Sequence, residues 1–128
     1  LNYLTTDLSR WSAGACPCGR TQRTLDEIDG RTEDLLHLAN GRIVHPRAVW
    51  GVLKPHPEVL GYQLVQREPA RFLLKLVMAG ADDYARLASQ LAREMETALG
   101  PGMAVGTERC ESVPREAGGK VRMVVALR

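Results

Sequence analysis

The sequence lacks the features that mark membrane proteins, disulfide-bonded proteins and nucleic-acid-binding proteins. It has no run of about 18 or more apolar residues, which excludes a transmembrane helix. Its net charge of +2 is small, and two Trp, three Tyr and one Phe are too few for a base-stacking surface. Three cysteines do not make a disulfide framework. A reducing, cytoplasmic setting is therefore expected, with neither nucleic acid nor membrane as a partner.

What remains is an ordinary globular composition. The 128 residues are 45% apolar and 25% charged, which suits one domain or a small domain with an overhang. A chain of this size can bury a core without metals or disulfides. Because the sequence begins at Leu1 rather than Met and shows no signal peptide, we expect it to be a piece of a longer protein. Part of an active site could then lie elsewhere.

A hairpin and a short helix are predicted in the first half of the chain. No helical period persists in residues 1–29, whereas the apolar stretches on either side of Asn40-Gly41 predict a β-hairpin. Pro46 is placed as a first-turn proline, and the helix that it begins should end before Pro55.

The second half predicts strands around one longer helix. The expected strands are residues 58–66, 71–78, 103–107 and 121–127. Leu60, Tyr62 and Leu64 should share one face of the first of them. Asp82 or Asp83 should cap a helix that runs to about Leu99 and is ended by the following glycine and proline. These elements predict an α+β fold, a small antiparallel sheet with helices on one face, in the order β-hairpin-α-β-β-α-β plus a terminal strand.

The cysteines and histidines form no complete catalytic or metal-binding pattern. Cys16 and Cys18 are separated by one residue, whereas paired zinc ligands are usually separated by two to four. The two thiols either belong to a tight turn or form part of a metal site completed by other residues. The histidines His37, His45 and His56 do not lie at a ligand spacing on one helix.

Two charged, glycine-containing segments precede apolar stretches. Residues 29–34 read Asp-Gly-Arg-Thr-Glu-Asp, and residues 118–122 read Gly-Gly-Lys-Val-Arg. Each on its own is typical of a solvated turn. Together they also fit mobile segments that carry charged groups to an anionic ligand.

In this order, these features resemble the carboxy-terminal domain of adenylate-forming acyl-CoA ligases, in particular the phenylacetate-CoA ligase family with its capsule-biosynthesis-type relatives. Residues 1–7 are similar to a family segment that reads Ile-Arg-Tyr-Asp-Leu-Gly-Asp, and residues 16–20 to its cysteine turn. Residues 30–34 resemble a Gly-Arg-x-Asp-Asp signature, residues 40–46 a glycine hairpin, and residues 119–120 a terminal Gly-Lys. The resemblance covers nearly the whole chain.

The resemblance implies a role for each matching residue. Asp7 would bind the ribose of ATP, and Arg31 the ribose or a phosphate. Glu33 would be the hinge between two half-reactions, and Lys120 would contact the carboxylate and the α-phosphate during adenylation. Gly41 would line the channel of the acceptor thiol. ATP or AMP, Mg²⁺ and CoA are implied for the whole enzyme, with none expected to be tightly bound to this chain.

The resemblance also implies a division of the chain and a set of partners. Residues 1–29 would be the end of a large N-terminal domain and its linker, and residues 30–128 the mobile lid. The partners would be that large domain, a carboxylic acid, and CoA or a carrier-protein thiol, and a dimer is possible. The isolated chain is expected to be inactive, because the acyl and adenine pockets would lie in the large domain.

The sequence departs from the family pattern at several positions. Asn2 and Leu4 stand where charged residues are usual, and Glu33 where aspartate is common. The helix after Pro46 lacks an acidic residue that many relatives place there. Two alternatives stay open at this stage: a stand-alone α+β module that binds a ligand or dimerises, and a small zinc-stabilised domain.

Overall fold

The computed structural model describes residues 7–31, 35–80, 83–115, 119 and 121–127, with the backbone alone at residues 8 and 29–31. The chain divides into two compact units, Leu1–Asp34 and Leu35–Arg128. The predicted division at residues 29 and 30 concerns a larger enzyme and stays a prediction.

The described part of the first unit is a β-hairpin. Strands β1 (Asp7–Trp11) and β2 (Leu25–Arg31) pair antiparallel, with irregular register after Leu8 and after Arg10. Sequence analysis missed these strands, because the irregular register interrupts any alternation of apolar and polar residues. Three large apolar side chains remain exposed here: Trp11, Leu25 and Ile28.

The second unit begins with the predicted hairpin and short helix. Strands β3 (Leu36–His37) and β4 (Ile43–Val44) pair antiparallel around the Asn40-Gly41 turn, which confirms the hairpin. Helix α1 (Pro46–Leu53) starts with the proline as predicted. His45 caps it, because its Nδ1 accepts a hydrogen bond from the Arg47 backbone N–H at 3.1 Å.

A four-stranded sheet forms the centre of this unit. It contains β5 (Val59–Glu68), β6 (Arg71–Met78), β7 (Ala104–Arg109) and β8 (Val124–Val125), in the order β7-β6-β5-β8. Only β5 and β6 pair antiparallel, whereas β7 and β8 run parallel to their neighbours. The expectation of an antiparallel sheet is therefore wrong. A helix crosses over between β6 and β7, and such a connection brings the second strand back parallel to the first.

That crossover is helix α2 (Tyr84–Leu99), which ends at Gly100 with a φ of 105°. It buries Leu87, Ala88, Leu91, Met95 and Leu99, the apolar stripe that its 3.6-residue period predicts. The structure confirms Asp83 at the predicted N-cap position but shows no capping hydrogen bond from its side chain. Its carboxylate binds the Arg86 guanidinium at 3.2 and 3.0 Å instead of a backbone N–H. Asp82 lies outside the described residues.

The core lies between the two helices and one face of the sheet. Helix α1 contributes Val49 and Leu53 to the cluster that includes Leu64 of β5 and alternate residues of β6, namely Phe72, Leu74 and Leu76. The α+β fold class is confirmed.

Leu60 differs in exposure from the two residues that were expected to share its face of β5. Leu60 is 68% exposed, although Leu64 is fully buried and Tyr62 packs against the core. The register of β5 against β6 shifts between Val59 and Gly61, so Leu60 is displaced from the expected alternation.

Candidate functional site

The structure describes some of the predicted site residues and not others. Lys120 and Glu33 lie outside the described residues. Asp7 and Arg31 belong to the first unit and Gly41 to the second.

Asp7 and Arg31 are directly opposite each other on β1 and β2. Residues paired in this way have Cα atoms about 4.5–5.5 Å apart. The Asp7 side chain is exposed. Asp7 and Arg31 are thus adjacent on one hairpin, and they are the two residues to which the resemblance assigns nucleotide contacts.

Gly41 forms the tip of the β3–β4 hairpin. Its φ of 80° lies in the left-handed region, and an added Cβ would meet no atom within 4 Å. The turn is held by a hydrogen bond from the Gly41 N–H to the Leu38 carbonyl at 3.0 Å, and by one from the Arg42 N–H to Asn40 Oδ1 at 3.1 Å. The hairpin thus presents an open tip with no side chain on a well-braced turn.

The Arg42 side chain anchors this hairpin to the end of α2. Its Nη1 donates to the Leu99 carbonyl at 3.1 Å, one of the carbonyls that a helix C-terminus leaves without an intrahelical partner. The Ala39 N–H also donates to the Pro69 carbonyl at 3.0 Å. The position of the tip is therefore fixed by both α2 and the β5–β6 turn.

The cysteine segment forms a tight turn. The Gly19 N–H donates to the Cys16 carbonyl at 3.0 Å, and the Cys16 and Cys18 sulfurs are hydrogen bonded at 2.8 Å. The hydrogen bond from Cys16 and one from the Arg20 backbone N–H hold the pKa of the Cys18 thiol below its usual value. Across the described ranges, no group of three His, Cys, Asp or Glu side chains is placed to hold a metal ion.

The described residues on the two sides of Lys120 contact each other. Arg115 and Val121 make an antiparallel bridge, and Arg115 Nη1 donates to the Gly119 carbonyl at 3.0 Å. Gly119 has a φ of 76°. The lysine position is thus flanked by a left-handed glycine and by a residue paired across the base of the loop.

The segment that follows Lys120 is shorter as a strand than predicted. Only Val124 and Val125 form β8, instead of the whole of residues 121–127. The physical reason is that side chains replace ladder partners on either side of β8. Gln63 Nε2 donates to the Arg122 carbonyl at 2.9 Å, and Gln66 Oε1 accepts from the Leu127 N–H at 3.2 Å.

Sequence analysis did not single out Gln63 and Gln66. A polar residue in a strand is usually exposed to solvent, yet Gln63 and Gln66 are only 6% and 4% exposed. Two glutamines close together in an otherwise apolar strand were the only available signal. Their hydrogen-bond partners are backbone groups far away in the chain, which local sequence does not reveal.

Comparison with solved structures defines the class of fold. The chain matches 2-hydroxyisobutyryl-CoA ligase in the postadenylation state, in complex with 2-HIB-AMP, with a TM-score of 0.64 and 25% identity, over 96% of this chain and 28% of that one. It also matches a domain of phenylacetate-coenzyme A ligase from Bacteroides vulgatus, with a TM-score of 0.53 and 20% identity, over 75% of this chain and 94% of that one. The fold is that of a C-terminal domain of an adenylate-forming ligase.

The family follows from the sequence match. Residues 36–126 match the model of the CapK C-terminal domain, and the chain belongs to this family. A curated relative, phenylacetate-coenzyme A ligase from Thermus thermophilus, is 31% identical over 100% of this chain. The chain spans only 34% of the length of that relative.

Neither described helix has the length and apolar character needed to cross a membrane.

Proposed function

We propose that this chain is the C-terminal lid of an ATP-dependent ligase that joins a carboxylic acid to CoA or to a carrier-protein thiol. The family match over residues 36–126 carries the proposal, because that range includes both the Gly41 hairpin and the loop that bears Lys120. The large N-terminal domain of the same enzyme would supply the acyl and adenine pockets.

In the first half-reaction, a carboxylate oxygen of the substrate attacks the α-phosphorus of ATP, and pyrophosphate leaves. Negative charge builds up on the phosphate oxygens in the transition state. A positioned cation offsets this charge most effectively in a site that excludes water. Lys120 is the residue that we assign to this role, and Asp7 and Arg31 would orient the ribose and a phosphate. The magnesium ion would enter with ATP as part of the substrate.

In the second half-reaction, the acceptor thiol attacks the acyl-adenylate, and AMP leaves as the thioester forms. In this step the lid would turn so that the face with the Gly41 hairpin, instead of Lys120, lies near the adenylate. Glu33 would be the hinge that allows the change, because a hinge residue absorbs a change in backbone angles. The open tip at Gly41 suits a narrow channel, since it has no side chain and no atom lies where a Cβ would stand.

The two alternatives from the sequence have less support. The family match and the solved structures do not favour a stand-alone binding module. For a zinc-stabilised domain, the described residues offer a pair of sulfurs and no third ligand beside them. A cytoplasmic location and a dimer stay predictions.

The experiment is an assay of the whole enzyme against a panel of aryl and aliphatic carboxylic acids. With ATP and a suitable acid, pyrophosphate should be released and exchange back into ATP, and AMP and a thioester should appear once CoA or a carrier thiol is added. Release of ADP and phosphate instead of AMP and pyrophosphate would contradict the proposal, as would ATP consumption that no acid stimulates.

A further inference from the structure

Two buried glutamines of β5 contact the C-terminal segment through their side chains. Gln63 and Gln66 are the only buried polar residues among those that the structure describes. A buried amide is costly unless it is hydrogen bonded, and at these positions an apolar residue would pack without that cost. Both amides are hydrogen bonded, and each of them binds the backbone of residues 122–127.

Of the two glutamines, Gln63 binds the residue that is closer to Lys120 in sequence, which is Arg122. Its Nε2 donates to the Arg122 carbonyl at 2.9 Å, and the next residue of β5, Leu64, donates its backbone N–H to the Met123 carbonyl at 2.9 Å. Two consecutive carbonyls directly after the lysine loop are therefore held by two consecutive residues of the central strand. Gln66, by contrast, binds Leu127 at the far end of the segment and the His37 carbonyl at 2.8 Å.

The register of this segment depends on few bonds. The β8 ladder consists of two pairs, Leu64 with Val124 and Val65 with Val125. A short strand of small apolar residues specifies its register weakly, and a slip by one residue moves the residues on both sides of it by about 3.3 Å and reverses the faces. The hydrogen bond from Gln63 to the Arg122 carbonyl is a further constraint on this register.

We propose that Gln63 is a positioning residue for adenylation, because it fixes the register of the segment that carries Lys120. This inference rests on the proposed function, in which Lys120 meets the α-phosphate. Gln63 itself would contact neither ATP nor the carboxylic acid. Its effect would reach the reaction through the Arg122 carbonyl and through Val121, the residue that links Arg122 to Lys120.

The test uses the full-length enzyme with the substitution Gln63→Met, which keeps the length of the side chain and removes the donor. ATP–pyrophosphate exchange reports adenylation, and thioester formation from supplied acyl-adenylate reports the second step. We expect kcat for exchange to fall about ten- to a hundred-fold, the effect of a misplacement of about 1 Å, with thioester formation changed less than about three-fold. The matched control is Gln66→Met, which removes an equally buried glutamine of the same strand and should affect both steps to a similar extent.

A double-mutant cycle separates positioning from general structural damage. In a Lys120→Ala background, Gln63→Met should cause no further loss of exchange, because the group that it positions is gone. If Gln63→Met does not fold, Gln63→Asn serves in the same cycle, since it keeps the amide and retracts it by one carbon.

Three results would overturn the inference: unchanged exchange in the Gln63 variants, equal losses in both steps, or a full additional loss in the Lys120→Ala background. If Lys120→Ala reduces exchange and the Gln63 variants do not, only the role of Gln63 fails. If Lys120→Ala itself leaves exchange intact, the proposed function of the lysine fails, and this inference fails with it.

Discussion

At the scale of single residues, Gly41 combines a backbone requirement with a proposed function. Its φ of 80° strains any other residue by about 1–2 kcal/mol, and no atom lies within 4 Å of where a Cβ would stand. Gly102 has the same properties, with a φ of 82° and open space around it. The two glycines therefore form a matched pair that differs in location.

Gly41→Leu should impair thioester formation more than adenylation, because the new side chain would project from the hairpin tip into the acceptor channel. Gly102→Leu should cost similar stability without favouring either step. Measuring both half-reactions in the full-length variants, alongside denaturant unfolding, gives the comparison. A Gly41→Leu enzyme that forms the thioester as fast as the Gly102→Leu enzyme would contradict the channel assignment.

The cysteines should differ in reactivity. Hydrogen bonds from Cys16 and from the Arg20 N–H lower the pKa of Cys18, whereas burial and the nearby Glu108 raise that of Cys110. A lowered pKa leaves more thiolate at a given pH, and the thiolate is the form that reacts. At about pH 7, iodoacetamide should therefore alkylate Cys18 before Cys110, as followed by mass spectrometry.

The variants Cys16→Ala and Cys16→Ser test the cause of this difference. Alanine removes the hydrogen-bond donor, so the pKa of Cys18 should rise and its alkylation should slow. Serine keeps a donor and should preserve most of the reactivity. Faster alkylation of Cys110 than of Cys18 in the unsubstituted chain would show that the assigned interactions do not control these thiols.

At the scale of elements, the C-terminus of α2 is completed by the β3–β4 hairpin. Arg42 Nη1 binds the Leu99 carbonyl, and the same guanidinium occupies the space that a Cβ on Gly100 would need. The Arg42 side chain therefore provides the Leu99 carbonyl with a hydrogen-bond donor and also leaves no free space for a side chain at position 100.

Arg42→Ala should destabilise the fold by about 1 kcal/mol, since it leaves a helix carbonyl without its partner. Gly100→Ala should cost more, because it adds a clash with Arg42 to the strain of a φ of 105°. The two effects should not add: in the Arg42→Ala background, Gly100→Ala should retain only the backbone strain. Urea unfolding of the four proteins in this cycle measures the coupling, and strict additivity would contradict the shared space.

Some secondary-structure elements could be predicted from the sequence and others could not. The β3–β4 hairpin, α1 and α2 could be predicted, because each is specified locally by a turn dipeptide, a first-turn proline or a helical period. The mixed sheet and the short β8 could not, because they depend on pairings between distant segments. The same holds for the candidate site. Motif residues such as Gly41 are visible in sequence, whereas Gln63 acquires its partner only through the fold.

At the scale of the whole molecule, the two units differ in how much apolar surface they bury. Every residue of the core cluster lies between Leu36 and Val124, whereas the described hairpin of the first unit leaves Trp11, Leu25 and Ile28 exposed. An isolated two-stranded hairpin is marginally stable in water. The described part of the first unit therefore has little buried apolar surface of its own to hold it folded.

Amide hydrogen exchange of the 128-residue chain should reflect this difference. Amides in β1 and β2 should exchange much faster than those of α2 and the central strands, because local opening of the hairpin exposes almost no buried apolar area. Equal protection in Asp7–Trp11 and in Tyr84–Leu99 would contradict the weak stabilisation of the hairpin.

The central claim is that this chain supplies the adenylation lysine of a larger ligase. The most direct measurement compares the two half-reactions of the full-length enzyme with and without Lys120→Ala. Adenylation should fall by about two to four powers of ten, the scale of losing one positioned charge, and thioester formation from supplied acyl-adenylate should stay nearly unchanged. Stability should shift by less than about 0.5 kcal/mol, as for a surface substitution. Equal losses in both steps, or no loss in either, would contradict the claim.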